Sequence, residues 1–466
     1  MTTCIPLFRQ NASSRKAITY TGPDRLSALP DVLLTKILSL LKARQVAQTC
    51  ILSKRWQNLW ASVPCLHFDL AEFSNLVSEE SHQRFIEFVT SFLLSIDENA
   101  YLDAFHLICD GSNSLDNGIS DAASTWIAKA VKCKPKKLQL EFSYYKGLTV
   151  PDSLYICDSL EELYIGMGSC PDFPPFEPGE VYLPKLKRLH LSDFEVFGNG
   201  MEKLHYGCPV LESLSLANFL LFPEDVFFGS LKRLSMNCCF FDYLDFSVST
   251  PDLEYFSIDR GSIDCISSNK MPKVTEASII FYRDHIVTEC ADVVSSLVNV
   301  EVLEITIPYL SDLVKHALQN SLIFPKLKRL TLGYFCMNCA FSTLSSLLKH
   351  TSKLEILILY HDCSEEEEGN CRSSQNSKEV GCCWRKSKTQ NSREKFEWFN
   401  CKCLKEVEIL CNKYTPGVPQ LVKRVKLSTK GLKEVRVSSQ IIEGNKFVYK
   451  YHYDLDDYDY EFDYNL

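Results

Sequence analysis

Pro184-Lys185-Leu186-Lys187-Arg188-Leu189-His190-Leu191 returns further along the chain as Pro325-Lys326-Leu327-Lys328-Arg329-Leu330-Thr331-Leu332, differing only where Thr331 replaces His190. The shared skeleton is apolar, two variable, apolar, one variable, apolar. It recurs as Leu102-Phe105-Leu107, Leu160-Leu163-Ile165, Leu186-Leu189-Leu191, Leu211-Leu214-Leu216, Leu231-Leu234-Met236 and Leu253-Phe256-Ile258. It continues as Val300-Leu303-Ile305, Leu327-Leu330-Leu332, Leu354-Leu357-Leu359, Leu404-Val407-Ile409 and Leu432-Val435-Val437, with weaker copies at Val274-Ala277-Ile279 and Leu138-Leu140. Such a skeleton would arise by chance roughly a dozen times in a chain this long, so the number of copies decides little. Their spacing decides more. The central residues fall at 138, 163, 189, 214, 234, 256, 277, 303, 330 and 357, in steps of 20 to 27.

That spacing lies within the leucine-rich-repeat period of about 20 to 29 residues. Each unit predicts one strand of a parallel sheet, its alternate apolar residues facing inward, and a helix or irregular return on the convex side. The expected fold class is an α/β solenoid over residues 70–361, with return helices at Met201 to Tyr206, Asp312 to Gln319 and Ser342 to His350. The step from 357 to 407 is 50 residues, about twice a unit. The interval 362–394 is rich in Ser, Glu, Lys and Asn and is expected to be a disordered surface insertion. Residues 395–453 carry two more copies, and 454–466 form a tail of acids alternating with tyrosines.

Ahead of the repeats, Asp24 to Asp69 reads DRLSALPDVLLTKILSLLKARQVAQTCILSKRWQNLWASVPCLHFD. Leu34, Ile37, Leu38 and Leu41 make an apolar stripe on a helix opened by Pro30, and Leu33 and Leu40 widen it. Ala43, Val46, Ala47 and Cys50 repeat the helical spacing. Ser53 is placed to cap a third short helix carrying Trp56, Leu59 and Trp60. A unit of about 45 residues is near the lower limit for a self-sufficient core. Its surplus of Leu, Ile and Trp marks a contact surface, toward the rest of the chain or another protein.

Leu29-Pro30, Ile37-Leu38, Leu52-Ser53-Lys54-Arg55-Trp56 and Leu59-Trp60, in this order and spacing, resemble the F-box of plant F-box proteins. The resemblance covers about a tenth of the chain. It implies docking on a Skp-type linker that joins a cullin scaffold and a ubiquitin-conjugating enzyme. Leu29, Pro30, Ile37, Leu38, Leu41, Trp56 and Trp60 would then be docking or module-core residues. Lys42 departs from the family, many members of which have proline there. Cys208-Pro209-Val210-Leu211-Glu212-Ser213-Leu214 resembles the repeats that follow the F-box in such proteins. Cys403-Leu404-Lys405-Glu406-Val407-Glu408-Ile409 and Gly431-Leu432-Lys433-Glu434-Val435-Arg436-Val437 resemble the C-terminal FBD domain; they could equally be the capping end of the solenoid.

Composition bounds the alternatives. The net charge is −9, but Glu365 to Glu368 and six acids of the tail supply ten negative charges, and the remainder is nearly neutral, without the basic footprint of a nucleic-acid binder. No apolar stretch approaches the roughly 20 residues that span a bilayer. Residues 1–23 carry Arg9, Arg15 and Lys16 but lack the apolar core of a secretory signal, and they are expected to be disordered. With no export signal, the 21 cysteines are read as small buried hydrophobes, not as a disulfide framework, in a cytoplasmic and/or nuclear protein. Cys336-Met337-Asn338-Cys339 is one CxxC without a second pair, so neither metal nor cofactor is expected. Gly166-Met167-Gly168 lacks the third glycine of a dinucleotide loop, and neither GxxxxGK[ST] nor GxSxG occurs.

The residues between the inward positions point outward and would form the reading face: Glu162, Tyr164, Arg188, His190, Ser213, Arg233, Tyr255, Arg329 and Thr331 among them. Arg188, Arg233 and Arg329 are expected to line a basic stripe for an acidic or phosphorylated target, with His190 and Tyr255 beside them. Taken together, the chain reads as a non-catalytic, substrate-recognition adaptor of a Skp–cullin–F-box (SCF-type) ubiquitin ligase that binds an unknown substrate protein. The alternative is a small-molecule receptor of the same architecture, whose ligand completes the substrate surface.

Overall fold

The computed structural model describes residues 26–361 and 403–439, with breaks, the longest at 281–292, 307–323, 334–343 and 412–421. The expected N-terminal disorder, the insertion 362–394, the acidic tail, the CxxC and the helix Asp312 to Gln319 lie outside the described residues, and the helix expected at Ser342 to His350 is described only in part.

Three short helices come first: α1 (Asp31–Leu38), α2 (Ala43–Gln48) and α3 (Trp56–Leu59). Pro30 sits just before α1 with extended backbone, and its carbonyl accepts from the amides of Leu33 and Leu34. Lys42 precedes α2 at φ −68°, a value proline would also adopt, which explains how a lysine occupies this place. Ser53 does not cap α3 with its hydroxyl. Its carbonyl accepts from Trp56 N (3.1 Å), because the backbone is already helical at Arg55. Arg55 closes the module instead, donating to the Asp31 carboxylate at the start of α1 (2.5 Å) and to the Leu29 carbonyl (2.5 Å).

Then follow β1 (Cys65–Asp69), α4 (Glu79–Leu94), β2 (Ala104–Cys109), α5 (Ile119–Lys132), β3 (Lys137–Phe142), β4 (Glu162–Gly166), β5 (Arg188–Val196), α6 (Gly200–Gly207) and β6 (Ser213–Leu221). Next are β7 (Val226–Phe227), β8 (Arg233–Asn237), β9 (Phe240–Phe241), β10 (Phe246–Ser249), β11 (Tyr255–Asp259), β12 (Ile266–Ser268) and β13 (Glu276–Ile280). The chain continues with β14 (Val302–Thr306), β15 (Arg329–Gly333), β16 (Ile356–His361), β17 (Glu406–Cys411) and β18 (Glu434–Ser439). One parallel sheet runs β1-β2-β3-β4-β5-β6-β8-β11-β13-β14-β15-β16-β17-β18, with β9 beside β6, while β12, β10 and β7 form a small second sheet.

The register is that of the repeat. Leu138 pairs with Leu163, Leu163 with Leu189, Leu189 with Leu214 and Leu214 with Leu234, and the column continues through Phe256, Ala277, Leu303, Leu330 and Leu357. These side chains and their partners two residues on are almost wholly buried. Burying each large aliphatic residue contributes about 1.5–3 kcal/mol, so the column is the main apolar spine of the fold. Leu357 then pairs with Val407, and Val407 with Val435. The two C-terminal strands therefore continue the sheet in register and are its last described strands.

The sheet begins earlier than the sequence indicated. Cys65–Asp69, inside the segment read as the helical module, pairs with β2. The two parts share a core: Trp60 lies 4.8 Å from Phe92 of α4, and Phe92 packs edge-on to Phe68 of β1. Lys42 Nζ bonds the Asp69 carboxylate (2.5 Å), Arg44 donates to the Glu72 carbonyl, and its guanidinium covers the Phe73 ring.

A second periodicity sits one residue before the strands of the long sheet from β2 to β17. Asp103, Lys136, Glu161, Lys187, Glu212, Lys232 and Glu254 alternate in sign, as do Glu301, Lys328, Glu355 and Lys405 after the interruption at Thr275. The neighbours form ion pairs: Lys136–Asp103 (2.7 Å), Lys187–Glu161 (3.1 Å), Lys232–Glu212 (2.9 Å), Lys328–Glu301 (2.6 Å) and Lys405–Glu355 (2.6 Å). Exposed pairs of this kind add little stability singly. Slipping one strand against the next would pull these opposite charges apart, so the pairs favour the observed register.

Candidate protein-interaction surfaces

Helix α1 is apolar on two faces. Leu34 and Leu38, four residues apart, are fully buried, whereas Leu33 and Ile37, also four apart, face solvent. Leu26, Val32, Leu40, Ile51 and Leu52 are exposed as well, Leu40 by 85% and Ile51 by 79%. Val46, Ala47, Trp56, Leu59 and Trp60 fill the core between the helices. Seven large apolar side chains thus stand in water on a unit of about 45 residues, a concentration that marks a site for another protein.

The second surface is the solvent face of the sheet, whose residues the register aligns in three columns, the third of which runs from Asp69 and Glu141 through Ser192, Asn237, Asp259 and Thr306 to Leu410 and Ser438. The first runs Lys137, Glu162, Arg188, Ser213, Arg233, Tyr255, Glu276, Val302, Arg329, Ile356, Glu406, Glu434. The middle one runs His67, His106, Gln139, Tyr164, His190, Ser215, Ser235, Ser257, Ser278, Glu304, Thr331, Ile358, Glu408, Arg436. The Tyr164 and His190 rings stack at 4.2 Å, and His190 Nδ1 shares a hydrogen bond with Ser215 Oγ (2.9 Å). Burial holds the His190 imidazole neutral, lowering its pKa to about 4. Burial likewise lowers the pKa values of His67 and His106, whose rings are 5.5 Å apart. Four serines on successive strands form a flat, hydroxyl-lined centre.

An F-box domain profile matches residues 26–68, and a profile of the LRR repeats of FBD-associated F-box protein At5g56370 matches residues 123–280. The FBD-associated F-box protein At5g56370 of Arabidopsis thaliana is 30% identical over 353 residues, covering 72% of this chain and 75% of the relative. The putative F-box/LRR-repeat protein At3g59170 of the same plant is 30% identical over 407 residues, covering 74% and 83%. The chain belongs to the plant F-box/LRR-repeat family. The putative F-box/FBD/LRR-repeat protein At3g59240, also from Arabidopsis thaliana, is 28% identical over 378 residues.

Within the F-box, the residues expected to dock or to form the core divide. Leu38, Trp56 and Trp60 are core, Leu29 and Leu41 are half-buried against it, and Pro30 and Ile37 are exposed. Leu26, Val32 and Ile51 were not among the expected contacts; an apolar residue flanking a helical stripe is the only signal sequence offers for them. In the LRR repeats, Arg188, His190, Arg233, Tyr255 and Arg329 all lie on the solvent face, but the three arginines do not make a basic stripe. Arg188 pairs with Glu162, which also takes Lys137 (2.7 Å), and Arg233 stacks its guanidinium 4.0 Å over Tyr255. Arg329 is four strands from Arg233, about 19 Å at the usual strand spacing, with Glu276 between them. A column of mixed sign, with Glu162, Glu276, Glu406 and Glu434 among the cations, replaces the expected single-sign field.

Proposed function

We propose that this F-box/LRR protein is a non-catalytic, substrate-selecting adaptor of an SCF-type ubiquitin ligase, acting in the cytoplasm, the nucleus or both. The exposed F-box face takes the Skp-type linker and through it a cullin, and the solvent face of the sheet holds the protein to be ubiquitinated. The observation that carries this reading is the double apolar character of the F-box helices: one set of residues completes the fold, and a second set, Leu33, Ile37, Leu40, Ile51 and Leu52 among it, remains in water. The protein, co-expressed with a Skp-type linker and a cullin, should purify with both. Leu40→Asp/Ile51→Asp should lose both while retaining its thermal unfolding midpoint, because neither side chain supports the core. Wild-type protein that leaves the linker behind, or a double variant that retains it, would refute the proposal.

A further inference from the structure

The solvent face changes character along the sheet. From β1 to β11 its acids are largely engaged within the face: Asp69 is paired with Lys42 and Glu162 with Lys137 and Arg188, while Glu141 accepts a hydrogen bond from the Gln139 amide (2.5 Å). From β13 to β18 the same three columns carry Glu276, Glu304, Glu406, Glu408 and Glu434 against Arg329 and Arg436. Arg436 is engaged by Glu434 (2.6 Å), and Glu304 accepts from Ser278 Oγ (2.9 Å). Glu276, Glu406 and Glu408 make no ion pair within 4 Å among the described residues, although Arg436, the register neighbour of Glu408, lies in the field of Glu406 and Glu408.

Between these carboxylates the outward positions of β16 are apolar. Ile356, Ile358 and Tyr360 alternate with the buried Leu357 and Leu359, so they lie on the face where the N-terminal strands carry histidine, glutamine and serine. Ile358 lies low at 6% exposure, Ile356 is half-buried, and Tyr360 rises from the sheet at 36%. The Tyr360 hydroxyl has its pKa raised by burial and by the carboxylates of Glu304 and Glu408, against an opposing effect of Arg329. In the register Glu406 and Glu408 stand beside Ile356 and Ile358 on β17, Arg329 and Thr331 stand beside them on β15, and Glu304 is one strand further. An apolar strip edged by Glu406 and Glu408 on one side, in a region where five glutamates outnumber Arg329 and Arg436, is complementary to a segment presenting an apolar side chain next to lysines or arginines.

We infer that strands β13–β18 are the part of the solvent face that selects the partner, and that the partner is a protein segment in which basic residues adjoin an apolar anchor. The inference rests on the adaptor reading above and narrows it, replacing an acidic or phosphorylated target with a basic one. Ile356 and Tyr360 receive the anchor, and Glu304, Glu406 and Glu408 receive the cations.

A random peptide library selected on the full chain bound to its linker tests this. Enriched peptides should favour Lys and Arg over Asp and Glu by at least threefold, and their capture should weaken as salt is raised. Glu304→Lys/Glu406→Lys/Glu408→Lys should abolish or invert the preference, whereas Lys137→Glu, at the other end of the sheet, should leave it unchanged. No charge preference, or one that survives the triple reversal, overturns the inference. So does enrichment seen only after deletion of residues 384–395, which hold Arg385, Lys386, Lys388, Arg393 and Lys395 and would then be the occupant themselves. Linker capture, scored on each variant, separates the two proposals: if it persists while peptide selection fails, the inference falls alone.

Discussion

Leu38 and Leu40 are two residues apart on one apolar run, yet one is buried and the other stands in water. Leu38 is 1% exposed and Leu40 is 85% exposed. Replacing leucine by alanine removes three carbons, each contributing about 0.8 kcal/mol when fully buried. Since most of Leu40 is available to be covered, Leu40→Ala should weaken linker binding by about 2 kcal/mol, or about 30-fold in Kd. Its own fold loses nothing, so the unfolding midpoint should stay within about 0.5 kcal/mol of wild type. Leu38→Ala should do the reverse, destabilising the chain by about 2–5 kcal/mol while the folded fraction binds normally. Leu94, 78% exposed on α4 outside the F-box, supplies the control: Leu94→Ala should change neither quantity. Calorimetric titration against purified linker, paired with denaturant unfolding of each variant, measures both axes. Unchanged linker affinity in Leu40→Ala, or an equal loss in Leu94→Ala, would refute the assignment of the docking face.

Gly207→Ala should cost about 1–3 kcal/mol in unfolding experiments, because its Cβ would sit 2.4 Å from the Val181 carbonyl oxygen, whereas Gly229→Ala, with nothing within 4 Å, should be silent. Lys42→Pro should fold with a stability change of about 1 kcal/mol or less, since the backbone already has proline's φ; a much larger loss in thermal unfolding would mean that the Lys42–Asp69 bond holds the junction. Folded His190 stays neutral to about pH 4, whereas an unfolded histidine protonates near 6.5, so the unfolded chain binds the extra proton between those values and stability falls as pH drops through that window. His190→Gln should remove a share on the order of 3 kcal/mol of that fall, flattening the pH profile of the unfolding midpoint without abolishing it, because His67 and His106 shift in the same direction.

The inward columns were legible because burial fixes them twice, by residue type and by period: Leu163, Leu189, Leu214 and Leu330 fall on one register line, as their spacing required. β1 escaped although Val63, Leu66 and Phe68 carry the same skeleton. It lies inside a helical module, and 39 positions separate Leu66 from its register partner Phe105, well beyond one period, because α4 intervenes. The F-box contacts were only half legible. A helix with Leu at 33, 34 and 38 and Ile at 37 is apolar on two sides, and which side faces inward depends on Trp56 and Trp60 arriving from elsewhere in the chain. The arginine stripe failed for a related reason: sequence shows which residues point outward, but only the register reveals that Glu162 stands beside Arg188.

The two surfaces lie toward opposite ends of one structure. β1 shares its core with the F-box helices, and β16, with its apolar strip, is eleven strands further along a sheet whose pairing is unbroken among the described strands. At about 4.8 Å per strand that is an arc of about 53 Å. Leucine columns on the inner side and alternating ion pairs at the strand starts both favour one register, so the offset between the two surfaces is built into the repeat count. At the F-box end the junction is tied three times, by Lys42 to Asp69, by Arg44 to Glu72 and Phe73, and by Trp60 packed on Phe92. On the adaptor reading proposed above, the partner must be held at a set distance and angle from the transfer site. Here that geometry is carried by packed repeats and a braced junction, while selectivity is left to the few outward side chains that the packing does not use.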